Sequence, residues 1–203
     1  MKKVNVAVLV SGGGTNLQAL IDAQKSGIIK DGEIKVVISN NASAYALVRA
    51  KENGIKTETV IKKLCKDKLD FENRIIKILE ENNISLIVLA GFMCILTENF
   101  TKKYENRIIN VHPSLIPSFC GEGYYGLKVH EQALKYGVKV TGATVHYVNE
   151  IADGGKIILQ KAVEILDGDT PEILQKRVME QAEWKILPQA VQMICENLLK
   201  EEM

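Results

Sequence analysis

The sequence predicts an α/β fold: a doubly wound, mainly parallel sheet with an antiparallel C-terminal extension and a long C-terminal helix. Three observations predict it. Short Val- and Ile-rich runs, at 4–10, 33–38 and 85–90, alternate with stretches of helical period. A glycine run, Gly12-Gly13-Gly14, joins the first apolar run to the first helical one, as in a strand-loop-helix unit. After His112 the alternation stops, and two longer strand-like segments follow around an acidic, glycine-containing turn.

Residues 4–10 are almost continuously apolar, as a strand buried on both faces must be, and 16–25 reads as a helix. Strand signals at 33–38 and 56–61 flank a helix from about 44 to 53, with Gly54 as its C-terminal stop. Residues 67–82 are amphipathic, with Leu69, Ile75, Ile76 and Leu79 on one side, and 85–90 is another buried strand. Residues 107–111 form the last strand of this half, and 139–149 and 156–165 are expected to pair as the antiparallel extension. From 170 to 200 the chain is mostly helical, with Thr170 as cap and Pro171 in the first turn. Pro188 is expected to kink or divide that helix. There is no repeat, low-complexity tract or proline-rich linker, so 1–203 is expected to be a single domain.

With 203 residues, 46% of them hydrophobic, the chain can bury one substantial core. A formal charge of +1, from 26 basic and 25 acidic residues, supplies no strong field for nucleic acid or membrane, so the expected partners are small molecules. The expected assembly is a monomer or homodimer. The apolar run at 4–10 is too short for a signal segment or a membrane span, which predicts a cytoplasmic protein. Cys65, Cys94, Cys120 and Cys195 contain no C-x-x-C pair and read as reduced thiols, with Cys120 expected to be the most exposed. The widely separated His112, His130 and His146 suggest no metal.

Asn110-Val111-His112-Pro113-Ser114-Leu115-Ile116-Pro117 begins where an apolar strand ends. The two-residue strand period points Asn110 and His112 to one face. An amide that can donate to an oxyanion and an imidazole that can move protons near neutral pH are the parts an acyl transfer needs. Asp153, in Asp153-Gly154-Gly155, can orient the imidazole and is expected to raise its pKa; alternatively, Asp-Gly there is a hairpin turn without function. Gly12-Gly13-Gly14-Thr15-Asn16 opens a helix, where free N–H groups and the helix dipole suit a phosphate, or it is a tight turn with no ligand. Neither a dinucleotide fingerprint nor a Walker lysine is present. His130 reads as a surface or capping residue of a helix at 127–136, and His146 lies on the same strand face as Thr144. The segment 118–127, with Gly121, Gly123, Gly126, Tyr124 and Tyr125, has the composition of a mobile, adhesive loop.

With Ser11-Gly12-Gly13-Gly14-Thr15-Asn16-Leu17, Ile38-Ser39-Asn40, Leu89-Ala90-Gly91-Phe92-Met93, Asn110 to Pro117, Gly142-Ala143-Thr144-Val145-His146 and Asp153-Gly154-Gly155, the chain resembles, nearly end to end, the glycinamide ribonucleotide formyltransferases of purine synthesis. The Asn-His-Asp set alone resembles the wider folate formyltransferase group. The resemblance implies formyl transfer from 10-formyltetrahydrofolate, a consumed cosubstrate, to the amine of glycinamide ribonucleotide, with no metal. It implies Asn110, His112 and Asp153 as the catalytic set. It also implies Gly14, Thr15, Asn16 and Glu183 as contacts to the nucleotide, and Lys68, Met93, Cys94, Ile95, Leu96 and Asn110 as contacts to folate. Residues 1–111 would then be a nucleotide-binding half, and 112–203 a folate-loop and C-terminal half. Lys68 and Glu183 also fit solvated helical charges. Cys94 stands where arginine is common, Trp184 where histidine is common, and the loop after Pro117 is longer than in the best-known bacterial members. Formyltetrahydrofolate deformylases usually carry an N-terminal regulatory domain, for which a first strand at Val4 leaves no room. Methionyl-tRNA formyltransferases carry a C-terminal domain that is not expected here.

Overall fold

Apolar strands flanked by amphipathic helices build a seven-stranded sheet in the order β3-β2-β1-β4-β5-β6-β7. The computed structural model describes residues 2–201, so the limits of the expected domain at Met1 and at 202–203 lie outside the described residues. The strands are β1 Val4–Val10, β2 Gly32–Ser39, β3 Lys56–Thr59, β4 Leu86–Leu89, β5 Ile108–His112, β6 Val140–Tyr147 and β7 Ile157–Glu164. β1 to β5 pair in parallel, and β6 and β7 continue the sheet antiparallel. The helices are α1 Thr15–Lys25, α2 Tyr45–Glu52, α3 Lys68–Glu81, α4 Glu98–Lys103, α5 Leu127–Tyr136, α6 Pro171–Val178 and α7 Trp184–Glu201.

The central strands β1 and β4 are buried on both faces, as strands of a parallel sheet with helical crossovers must be. Val6, Val8 and Val10 of β1 pack with Leu17, Leu47, Leu187 and Val191 on one side. Ala7 and Leu9 pack with Phe71, Ile75, Leu79 and Phe100 on the other. β1 lies between β2 and β4, so the strand order reverses there and opens a crevice beyond their carboxyl ends. Ser11 Oγ accepts the Met93 N–H at 2.8 Å and ties together the loops that leave β1 and β4.

Three local expectations need correction. Leu69 is 55% exposed, and α3 instead buries Phe71, Glu72, Ile75 and Leu79. Phe71 stacks on Phe92, and buried Glu72 accepts the Thr97 N–H at 2.7 Å and its hydroxyl, so the packed face is set by the 92–97 segment rather than by Leu69. The C-terminal helix is interrupted at a π turn, Met179–Glu183, and not at Pro188, which stays inside α7. Pro188 has no N–H for the Trp184 carbonyl, and its place just after a widened turn accommodates that loss. The link between β6 and β7 runs through 148–156 and is not a two-residue Asp-Gly turn. Asp153 has φ 55° there, and a Cβ on Gly155 would lie 1.7 Å from the Tyr147 carbonyl oxygen, so only glycine permits that approach. No helix among the described residues is long and apolar enough to cross a membrane.

Candidate active site

The carboxyl end of β5 carries the polar centre. Asn110 and His112 project to the same side of β5, opposite His146 and Thr144 of β6. Thr144 braces the turn that follows: its hydroxyl donates to the Ser114 carbonyl at 2.7 Å and accepts the Ile116 N–H at 3.1 Å. Gln160 Nε2 adds donations to Thr144 Oγ1 at 2.9 Å and to the Ile116 carbonyl at 3.0 Å. Such bracing holds a side chain on a strand end more rigidly than a free loop could.

The 148–156 connection brings Asp153 to the two histidines. Its Oδ2 lies 3.4 Å from His112 Nδ1, and its Oδ1 lies 3.5 Å from His146 Nε2. The Gly121 N–H donates to Oδ2 at 2.8 Å, and the Phe119 carbonyl meets His112 Nε2 at 2.8 Å. Asn110 Nδ2 lies 3.2 Å from His146 Nε2, whose other ring nitrogen faces the Tyr147 carbonyl at 2.8 Å. Asn110, His112, Asp153 and His146 thus form one connected polar cluster.

Burial dominates the electrostatics of His112. It lowers the imidazole pKa below 6.5, although Asp153 and the Phe119 carbonyl act in the opposite direction. This corrects the expected rise: the ring is only 4% exposed, and desolvation outweighs one carboxylate that is already partnered. Burial pushes the Asp153 carboxyl up, but His146, His112 and the Gly121 N–H together hold it below its ordinary range. The free site at neutral pH therefore pairs an ionised Asp153 with a neutral His112.

Asn110, His112, His146 and Asp153 line one wall of a cavity of about 700 Å³. Met93, Cys94, Ile95 and Leu96 also line it, as do Gly121 to Gly126 with Tyr124 and Tyr125. Met93 and Ile95 are exposed into this space, 55% and 61%, while Leu96 is buried. Cys94 Sγ accepts from Asn40 Nδ2 at 3.0 Å. A largely apolar cavity with a few convergent polar groups suits a small-molecule ligand. Lys68 is exposed as the first residue of α3 and does not line this cavity.

Gly14, Thr15 and Asn16 stand where the N–H groups of α1 are unpaired. Gly14 has φ 73°, and a Cβ there would lie 2.6 Å from Ala46 Cβ, so the loop needs glycine both for its conformation and for packing on α2. Asn16 Nδ2 donates to Glu183 Oε2 at 2.6 Å, which joins the start of α1 to the π turn across 167 positions. Glu183 is buried, and burial pushes its carboxyl up to about 7. A smaller cavity of about 140 Å³ adjoins this end, lined by Thr15, Gln18, Arg49 and Trp184 among others.

His130 is not a surface residue. It is fully buried on α5, neither ring nitrogen has a hydrogen-bond partner among the described residues, and burial lowers its pKa to about 4. The cysteines are free, with Cys195 buried and Cys65, Cys94 and Cys120 all half-buried, so Cys120 is not singled out by exposure. No group of three or more His, Cys, Asp or Glu among the described residues is placed to hold a metal ion. Contacts that sequence reasoning missed are the Phe119 carbonyl, the Gly121 N–H and the engagement of His146 with Asp153. The last had a signal, since His146 and Thr144 alternate on one strand face; the backbone groups had none.

Comparison with known proteins places the chain in a family. Residues 4–191 match the profile of the formyl transferase family. The chain is 43% identical to the phosphoribosylglycinamide formyltransferase of Haemophilus influenzae, over 98% of this chain and 90% of that protein. It is 45% identical over 98% of its length to the human trifunctional purine biosynthetic protein adenosine-3, of which it spans only 19%. The crystal structure of glycinamide ribonucleotide transformylase 1 from Symbiobacterium toebii superposes with a TM-score of 0.90 at 39% identity, covering 96% of this chain and 89% of that one.

Proposed function

This chain belongs to the formyl transferase family, and from that premise we propose that it transfers the formyl group of 10-formyltetrahydrofolate to the amine of glycinamide ribonucleotide. The products are N-formylglycinamide ribonucleotide and tetrahydrofolate, a step of purine biosynthesis. The observation that carries the reading is the convergence of Asn110, His112 and Asp153 on the lining of one cavity of about 700 Å³. The chain spans most of the bacterial formyltransferase it matches and a fifth of the trifunctional protein, and both names refer to purine biosynthesis or its glycinamide intermediate.

In this reading the amine attacks the formyl carbon, a C–N bond forms, and the carbonyl electrons move to oxygen. Asn110 donates to that oxyanion. Neutral His112 takes the proton that the attacking amine sheds, and Asp153 stabilises the charge of the resulting imidazolium. Collapse breaks the bond to the folate nitrogen, which receives the proton, so the transfer is proton-neutral overall. Proximity of two bound substrates makes a covalent enzyme intermediate unnecessary. Met93 to Leu96 hold the pteridine, and Lys68 is a folate contact only by the resemblance, since it lies outside the cavity lining. Gly14, Thr15 and Asn16 hold the phosphate and ribose, and Glu183 the amine end of the nucleotide. Residues 1–111 are then the nucleotide-binding half, which also carries the pteridine-contacting segment, and 112–203 the folate-loop and C-terminal half of one domain, which also supplies Glu183. Its free cysteines suit a reducing cytoplasm.

The test follows tetrahydrofolate formation from 10-formyltetrahydrofolate with and without glycinamide ribonucleotide, for the wild type and His112→Ala. Turnover that requires both the nucleotide and His112 supports the transferase. Turnover without nucleotide reassigns the chain as a deformylase, and no turnover in either mixture leaves a binding module.

A further inference from the structure

We propose that the backbone carbonyl of Phe119 is a positioning group for formyl transfer: it keeps the His112 proton on Nε2 and leaves Nδ1, the nitrogen that faces Asp153, as the one that takes up a proton. The inference rests on the reading of Asn110, His112 and Asp153 given above.

A carbonyl oxygen can only accept. With Phe119 O 2.8 Å from His112 Nε2, that nitrogen must carry hydrogen for the contact to be a bond at all. A neutral imidazole has one N–H, so the lone pair then resides on Nδ1. Nδ1 lies 3.4 Å from Asp153 Oδ2, an oxygen that already accepts the Gly121 N–H at 2.8 Å. A lone pair facing a carboxylate gains nothing while the ring is neutral and gains an ion pair once Nδ1 is protonated. Nδ1 is therefore the nitrogen at which proton uptake is favoured, and Asp153, the partner it faces, lines the cavity.

The segment 118–121 contacts both members of the pair with opposite polarity, a carbonyl on the histidine and an N–H on the carboxylate. Its shape depends on Phe119, which has φ 49°, a conformation uncommon for residues other than glycine. Around it the Ser118 N–H donates to the Leu115 carbonyl at 2.9 Å, and Ser114 Oγ donates to the Ser118 carbonyl at 2.5 Å. The Phe119 ring packs against Tyr124 and Tyr136, with centroids 6.3 Å and 6.0 Å away. A loop that orders in this shape sets the tautomer, and a loop that leaves it releases the tautomer.

The experiment is nitrogen NMR of ring-labelled histidine in the whole protein, at a pH where His112 is neutral, with His112→Gln used to assign its signals. A pyrrole-type Nε2 and a pyridine-type Nδ1 are expected; a pyridine-type Nε2 overturns the proposal even where transfer is intact. Two variants then separate backbone from ring. Phe119→Gly and Phe119→Val both lose the ring, but only the β-branched residue resists the left-handed conformation. The Val variant should show mixed tautomers and a kcat roughly 10- to 100-fold below that of the Gly variant, with KM for both substrates changed far less. Equal tautomers and equal kcat in the two variants would overturn the positioning role. A wild type with the expected tautomer and no formyl transfer would overturn the reading of the site while upholding the hydrogen on Nε2.

Discussion

His146 Nε2 lies 3.5 Å from Asp153 Oδ1, the oxygen opposite the one that His112 approaches. The carboxylate thus lies between imidazoles from two neighbouring strands, and His146 Nε2 is within reach of both Asn110 and Asp153. His146→Phe should lower kcat roughly 10- to 100-fold, the range typical of groups that orient others, with little change in folding stability. Steady-state kinetics beside a urea titration check this; unchanged kcat would show that Asp153 is held by the Gly121 N–H alone.

Asn110→Ala removes a donor aimed at the proposed oxyanion and should cost about 10²- to 10³-fold in kcat. His112→Ala should cost about 10²- to 10⁴-fold. Because both groups serve one transition state, the double variant should lose much less than the product of the single losses. Full multiplicativity would mean that the two act in separate steps.

The pH profile of kcat/KM should carry an acid limb below 6.5, because burial lowers the His112 pKa and neutral His112 is the form that accepts the proton. Asp153 works against that lowering, so Asp153→Asn should move the limb to still lower pH as well as reduce the rate. A limb that shifts upward in this variant would contradict the assignment.

His130 makes stability depend on pH. Its pKa falls from 6.5 in the unfolded chain to about 4 in the fold, so the unfolded state binds the extra proton first. The sign follows: this contribution is fully present above 6.5 and is lost as pH falls toward 4. The loss amounts to about 2–3 kcal/mol. Glu183, raised to about 7, acts oppositely as pH rises, so the wild-type curve sums both. The difference between wild type and His130→Leu, measured by urea unfolding from pH 7 to pH 4, isolates the histidine and should change by that amount.

Gly14→Ala combines φ 73° with a Cβ 2.8 Å from the Ala46 backbone. It should destabilise the fold by about 2–4 kcal/mol and raise KM for the nucleotide more than for folate, since the displaced loop opens α1. Equal effects on both substrates would separate the loop from nucleotide binding.

The alternation of strands and helices was legible because burial on both faces leaves uninterrupted runs such as VNVAVLV, and helices betray themselves by period and by caps such as Thr170 with Pro171. The pairing of Asn110 with His112 was legible for the same reason, since a strand alternates its faces whatever surrounds it. Leu69 misled because an amphipathic count gives equal weight to every apolar residue, while the face that is buried is chosen by Phe92 and Thr97 across the packing. His130 misled because a histidine in a polar helix gives no sign of where that helix will lie.

By itself the sequence determined the order of elements, the parallel sheet, the glycine loop and the Asn110–His112 pair, because these follow from local period and from residue chemistry, while Asp153 joined that pair through the resemblance to the family. Only the tertiary structure decided that His112 is neutral in the free site, that Asp153 is shared with His146, and that Asn16 meets Glu183. Desolvation and backbone contact depend on which distant segments close over a group, and no residue's identity records that closure.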